Sequence, residues 1–151
     1  MNFWQSLPKP IIALSPMDGV TDAPMRQVSN TYGKPDVTLT EFVHVEGLWK
    51  GTLRVFLDFV YSQRERPIVA QIFGSNPEYF YKSAHIVCEL GFDGIDINMG
   101  CPANSVVNKG GGASLIQDPE RAKEIVIQTK KGVEDWANGQ RLHDLGLDED
   151  K

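Results

Sequence analysis

The sequence predicts a parallel α/β fold, the first four βα units of a (β/α)8 TIM barrel. Three observations carry this expectation. Four short apolar runs alternate with four stretches of helical spacing, the pattern of a parallel sheet covered by helices. The polar residues in or just after those runs, Asp18, Glu41, Gln71, Asn98 and Cys101, lie at their C-terminal ends, the face where barrel enzymes carry their chemistry. The turn after the first run, Ser15-Pro16-Met17-Asp18-Gly19, is not the G-x-G-x-x-G of a dinucleotide-binding doubly wound sheet, and there is no P-loop.

The first strand is read at Ile11 to Leu14, and Met25, Val28 and Tyr32 mark an apolar face on the helix after it. The second strand is Val37 to Phe42, followed by a helix with Leu53, Phe56, Leu57 and Val60 on one side. The third is Ile68 to Phe73, with Phe80, Ala84, Val87 and Cys88 as the buried stripe of its helix. That helix has two possible starts. One is a capping box from Ser75 to Glu78; the other is Asn76 as cap with Pro77 in the first turn. Gly91 fits its end. The fourth strand is Gly94 to Asn98. Alternation puts Asp96 and Asn98 on the barrel interior and Ile95 and Ile97 toward the helices. Asp118-Pro119 opens the last helix, whose stripe is Ala122, Ile125, Val126 and Thr129.

A full barrel takes about 250 residues, and this chain has 151. Residues 1–131 are therefore read as the N-terminal half of a barrel domain. Residues 132–151, with six acidic and two basic side chains and no fifth strand, read as an acidic linker or truncated tail.

With 41% hydrophobic and 23% charged residues the chain has a globular, soluble composition. No run approaches the roughly 18 apolar residues of a membrane span. Met1 to Pro10 lacks the features of a secretory signal, so the expected location is the cytoplasm. Two cysteines in such a setting do not argue for a disulfide. His44, His85 and His143 lack metal-ligand spacing, so no metal site is expected. A net charge of -5 argues against this chain, alone, being a strong binder of nucleic acid.

The densest chemical signal is Asp96-Ile97-Asn98-Met99-Gly100-Cys101-Pro102, followed by Lys109-Gly110-Gly111-Gly112-Ala113. Pro102 ends the ladder, Gly100 lets the backbone come close to a ligand, and the Cys101 thiol is held at a strand-to-loop corner. Cys88, on an apolar helix face, is a core residue by contrast. The glycine triplet reads as a flexible turn or as a loop that closes on substrate. Lys109 could pair a phosphate or simply be solvated. Gln71, polar in an apolar strand, needs a partner, either a structural hydrogen bond or a bound heterocycle. Glu41 poses the same choice, and His44 and Asp18 are weaker candidates.

These residues resemble the tRNA-dihydrouridine synthase family, from about Ile11 to Lys131. The shared stretches are Ala13 to Asp22, Gln71-Ile72-Phe73-Gly74, Asp93 to Pro102, and Gly110 to Leu115 before Asp118-Pro119. Ser15 stands where the family often has Ala. The resemblance implies an FMN-binding barrel that reduces a uridine of tRNA to 5,6-dihydrouridine at the expense of NADPH. By position, Pro16, Met17, Asp18 and Gln71 would contact the flavin, Cys101 would be the catalytic cysteine, and Asn98 would contact the flavin or uracil. Hydride delivered to C6 leaves negative charge at C5, which Cys101 would protonate from the opposite face. An ordinary thiol, with a pKa of ~8.5, is mostly protonated at neutral pH and can serve as that acid. The target base would have to leave its stack to reach the site.

The family's flavin-phosphate groups and its C-terminal helical domain lie beyond this stretch. The chain alone is therefore expected to have little activity. Two other readings stay open. One is an FMN barrel of the dihydroorotate dehydrogenase type. The other is a non-catalytic remnant, or a fragment that self-associates through its exposed sheet edges.

Overall fold

The computed structural model describes residues 3–147. After a short helix α1 (Phe3–Ser6) come β1 (Ala13–Leu14), α2 (Ala23–Tyr32), β2 (Val37–His44), α3 (Val45–Trp49), α4 (Leu53–Leu57), β3 (Ile68–Phe73), α5 (Pro77–Glu89), β4 (Gly94–Ile97), α6 (Asn104–Val107) and α7 (Pro119–Ala137). The strands form one sheet in the order β1-β2-β3-β4, every neighbour parallel. Sequential order without a strand crossing back is how consecutive barrel units are laid down. Among the described residues no helix is long and apolar enough to cross a membrane.

β3 is the centre of the sheet. All six of its residues are buried, as an uninterrupted apolar run requires when both faces are covered. Its helix α5 starts at Asn76, whose side chain accepts from the Glu78 amide at 2.9 Å, so the second of the two possible caps is the one used. Asp118 caps α7 through the Arg121 amide. The core lies where β2, β3 and β4 meet α3, α5 and α7. Ala70, Ile72, Phe80, Val87, Leu115 and Ile125 are its centre, and Ile95 and Ile97 pack against it. The fourth-strand isoleucines thus face the helices, as the alternation requires.

Three expectations need correction. The stripe Met25, Val28 and Tyr32 is not core: these residues are 40%, 54% and 85% exposed. The buried residue of α2 is Arg26. Leu53, Leu57 and Val60 are exposed as well. The reason is that β1 forms only two ladder pairs with β2. That edge gives α2 and α4 little sheet to cover, and among the described residues these side chains stay exposed. Third, α7 continues past Lys131 to Ala137. Gly132 is buried there with its Cα against the Tyr81 carbonyl, and Trp136 donates to Glu89 at 2.5 Å. A 3-10 turn at Leu142–Leu145 follows, and Leu142 packs on the core. Most of the stretch read as a linker is therefore folded; residues 148–151 lie outside the described residues.

Arg26 anchors the β1 side. Its guanidinium donates to Glu65 at 2.8 Å, to the Thr21 carbonyl at 3.0 Å and to the Val60 carbonyl at 2.5 Å. Both partners of the ion pair are at most 1% exposed. Removing one partner of such a pair leaves the other charge buried and uncompensated. Arg26→Met is therefore expected to lower unfolding stability by about 3–5 kcal/mol in urea titrations. Pairing it with Glu65→Leu should recover most of that loss, and a single mutant of wild-type stability would show the pair to be solvated.

Candidate active site at the strand ends

Gln71 on β3 donates through Nε2 to Asp96 on β4 at 2.5 Å. Its Oε1 accepts from Asn98 Nδ2 at 3.1 Å. Asn98 Oδ1 then accepts from the Gly100 and Cys101 amides at 3.2 and 2.9 Å. Four residues are thus joined in one line, from a carboxylate on the barrel-interior face to the backbone of Cys101. The line follows from register: Gln71 pairs with Asp96 across the ladder, and Asn98 follows on the same face. Gln71 has structural partners in Asp96 and Asn98. Both ends of its amide are engaged and the residue is 7% exposed. One N–H and one lone pair remain for a further partner.

The Cys101 thiol is free and half-buried. Its loop is gripped from the other side by the glycine run. The Ala113 amide donates to the Cys101 carbonyl at 3.0 Å. Gly112 has φ +57°, and a Cβ there would stand 2.5 Å from the Cys101 carbonyl oxygen. Gly111 rests on the Gly74 backbone, where a Cβ would stand 3.0 Å from its carbonyl oxygen. The triplet is therefore a packing requirement: it ties the end of β3 to the Cys101 corner. Gly100 differs, since a Cβ there would meet nothing within 4 Å. The space beside the thiol corner is open.

The first turn is held separately. Thr21, fully buried, accepts from the Met17 amide at 2.9 Å. Glu41 accepts from the Val20 amide at 3.0 Å, which gives this buried acid a structural partner. Glu41 reaches that amide from a bulge in β2 between Leu39 and Phe42. Within the bulge, Thr40 Oγ1 accepts from the Gln71 amide at 3.1 Å. Pro16 is half-buried and Met17 is 46% exposed. Asp18 lies near Asp58, whose carboxyl is pushed up by burial and then by the Asp18 charge.

Of the residues singled out in the sequence, Gln71, Asn98 and Cys101 are joined directly. Among the described residues, Pro16, Met17 and Asp18 connect to them through Glu41 and the β2 bulge. Thr21 and Thr40 were missed, because a threonine near a strand end carries no signal of its bond partner. Cys88, expected in the core, is only half-buried and lines a hollow with Phe3, Ile95 and Thr129; burial, and then Glu89, push its thiol up to about 11.

Adjacent parallel strands in chain order, with a polar line and a thiol at their C-terminal ends, define a segment of a barrel enzyme. Comparison with known proteins narrows the class. The dihydrouridine synthase family model matches residues 12–138. A protein of Staphylococcus aureus (strain COL) named "Probable tRNA-dihydrouridine synthase" is 42% identical over 133 residues, 87% of this chain and 40% of that protein. "Probable tRNA-dihydrouridine synthase 2" of Bacillus subtilis (strain 168) is 44% identical over 135 residues, 87% of this chain and 41% of that protein. The chain belongs to the dihydrouridine synthase family, and its sheet is the first four βα units of that family's TIM barrel. It spans about two fifths of the length of these relatives.

Proposed function

We propose that the complete protein containing this segment reduces a uridine of tRNA to 5,6-dihydrouridine, with FMN as its flavin and NADPH as reductant. The observation that carries this reading is the Cys101 thiol, half-buried beside open space, on a corner fixed from both sides by Asn98 and the glycine run. The names of the relatives support tRNA as the substrate, and a tRNA substrate favours the cytoplasm.

The residues present fit a flavin. A planar ring system needs an open floor with a few polar groups. The space beside Gly100, the exposed Met17, the Pro16–Asp18 turn and the spare N–H of Gln71 offer that. FMN, when bound, supplies the hydride that goes to C6 of the uracil. Cys101 Sγ–H gives its proton to C5. Asn98 holds the Cys101 backbone, and its one unused N–H would donate to a uracil carbonyl. Because β1 and β4 are the edges of the sheet and the α2 stripe is uncovered, the isolated chain is a weak catalyst in this reading. It is also prone to pair with a second copy.

The test is to offer the complete enzyme, with NADPH, either unmodified tRNA or dihydroorotate. Dihydrouridine should form in the tRNA and dihydroorotate should remain unreacted. Turnover of dihydroorotate, with none of tRNA, would overturn the proposal in favour of the other FMN barrel.

A further inference from the structure

A hollow of about 520 Å³ lies beside the start of the glycine run. Its walls include His44 at the end of β2, Lys50 after α3, Ser75 and Tyr79 around the start of α5, and Lys109. The acid of the hollow, Glu46, is already paired with Lys50 at 2.7 Å. Among the described residues the Lys109 ammonium has no hydrogen bond or ion pair, and the Ser75 and Tyr79 hydroxyls have no partner. The His44 ring is held below its ordinary value by burial and then by the Lys109 charge, so Lys109 acts on the interior of the hollow. The result is an unmatched cation, two unused hydroxyl donors and an imidazole, gathered in a concave site of an otherwise acidic chain. The one carboxylate of the hollow is neutralised and the Asn76 side-chain carbonyl oxygen is taken by the Glu78 amide, so the cation and the hydroxyl donors are complementary to a phosphate.

Placement suggests which phosphate. Gly110 packs on Ser75, Gly111 on the Gly74 backbone and Gly112 on the Cys101 carbonyl. Three consecutive residues therefore connect the hollow to the thiol corner, a reach of at most about 11 Å from Lys109 to Gly112. A phosphate in the hollow and a base at the thiol are thus close enough to belong to the same or to adjacent nucleotides.

We propose that this hollow seats a backbone phosphate of the RNA beside the uridine presented to Cys101. The proposal rests on the tRNA reading above. The same donors would suit the 2′-phosphate of NADPH, and the experiment separates the two sources.

In the complete enzyme, Lys109→Gln is expected to raise KM for tRNA about tenfold, the equivalent of one lost charged contact. It should also flatten the dependence of log KM on log salt by about one unit. KM for NADPH and flavin content should stay as they are. Lys123→Gln, at an exposed position on α7, is the control and should change none of these. An unmoved KM for tRNA, or a rise in KM for NADPH instead, would overturn the proposal while leaving dihydrouridine synthesis intact. If the complete enzyme forms no dihydrouridine, a second measurement still decides. Inorganic phosphate titrated into the complete protein should shift the His44 ring signals and the Ser75 and Gly110 amide signals saturably, and should not do so in Lys109→Gln. Absence of a saturable shift in the unmodified protein overturns the site.

Discussion

Replacing Cys101 by alanine in the complete enzyme is expected to lower dihydrouridine formation by about two to four orders of magnitude, the range a positioned acid contributes, while flavin content stays at wild-type level. The separation is expected because the thiol takes no part in holding its own loop. The Cys101 amide is bound by Asn98 and its carbonyl by Ala113, and alanine keeps both. The mutant should thus bind flavin, accept reducing equivalents from NADPH, and stall where C5 needs a proton. Mass spectrometry of the tRNA gives the product, and visible absorbance gives the flavin. Near-normal product formation would remove the acid role from Cys101. Cys88→Ala is the matched control, since that thiol sits near the C-terminal end of α5, outside the hydrogen-bonded line that ends at Cys101, and is pushed up to about 11.

Gly112→Ala is expected to be nearly as damaging through geometry alone. The backbone there has φ +57°, which favours glycine. The added methyl would stand 2.5 Å from the Cys101 carbonyl oxygen and 2.7 Å from Val106 Cγ1. Neither is a flexible side-chain tip that can swing away, so the Cys101 corner itself must shift. A displacement of about 1 Å at a reacting group costs on the order of a hundredfold in rate, and the strained backbone costs about 1–3 kcal/mol of stability. Gly100→Ala is the informative comparison, because its methyl meets no protein atom. It should leave stability unchanged. If Gly112→Ala turns over tRNA at wild-type rate, the glycine run does not position the thiol.

The sheet and the thiol corner were legible in the sequence to different depths. β3 matched its expected bounds because a strand buried on both faces must be apolar throughout, and few segments satisfy that. The inward turn of Asp96 and Asn98 was legible from alternation alone. Their bonds were not. That Asn98 spends its carbonyl oxygen on the Gly100 and Cys101 amides follows from the shape of the corner, which no periodicity encodes. The stripe on α2 was misread for a different reason. Spacing reports that a face is apolar, but not whether the chain in hand supplies anything to lie against it. Arg26 was invisible for the same cause. Its partner Glu65 is 39 positions away, at the end of the 3-10 turn Gln63–Glu65, and local spacing does not pair residues so far apart.

The bonds that hold the thiol corner run from Gln71 to Ala113 and join only residues within that stretch. Protein synthesis proceeds from the N-terminus, and structural units tend to fold as they emerge. By the time Ala113 has cleared the ribosome, every group that sets the direction of the Cys101 backbone is already present. What is translated afterwards, Leu115 and Ile125 of the core included, packs against a corner whose own hydrogen bonds need no later residue. In a protein of the relatives' length, later segments would then dock onto a template, and errors in their folding would cost occupancy of the site before they cost its geometry.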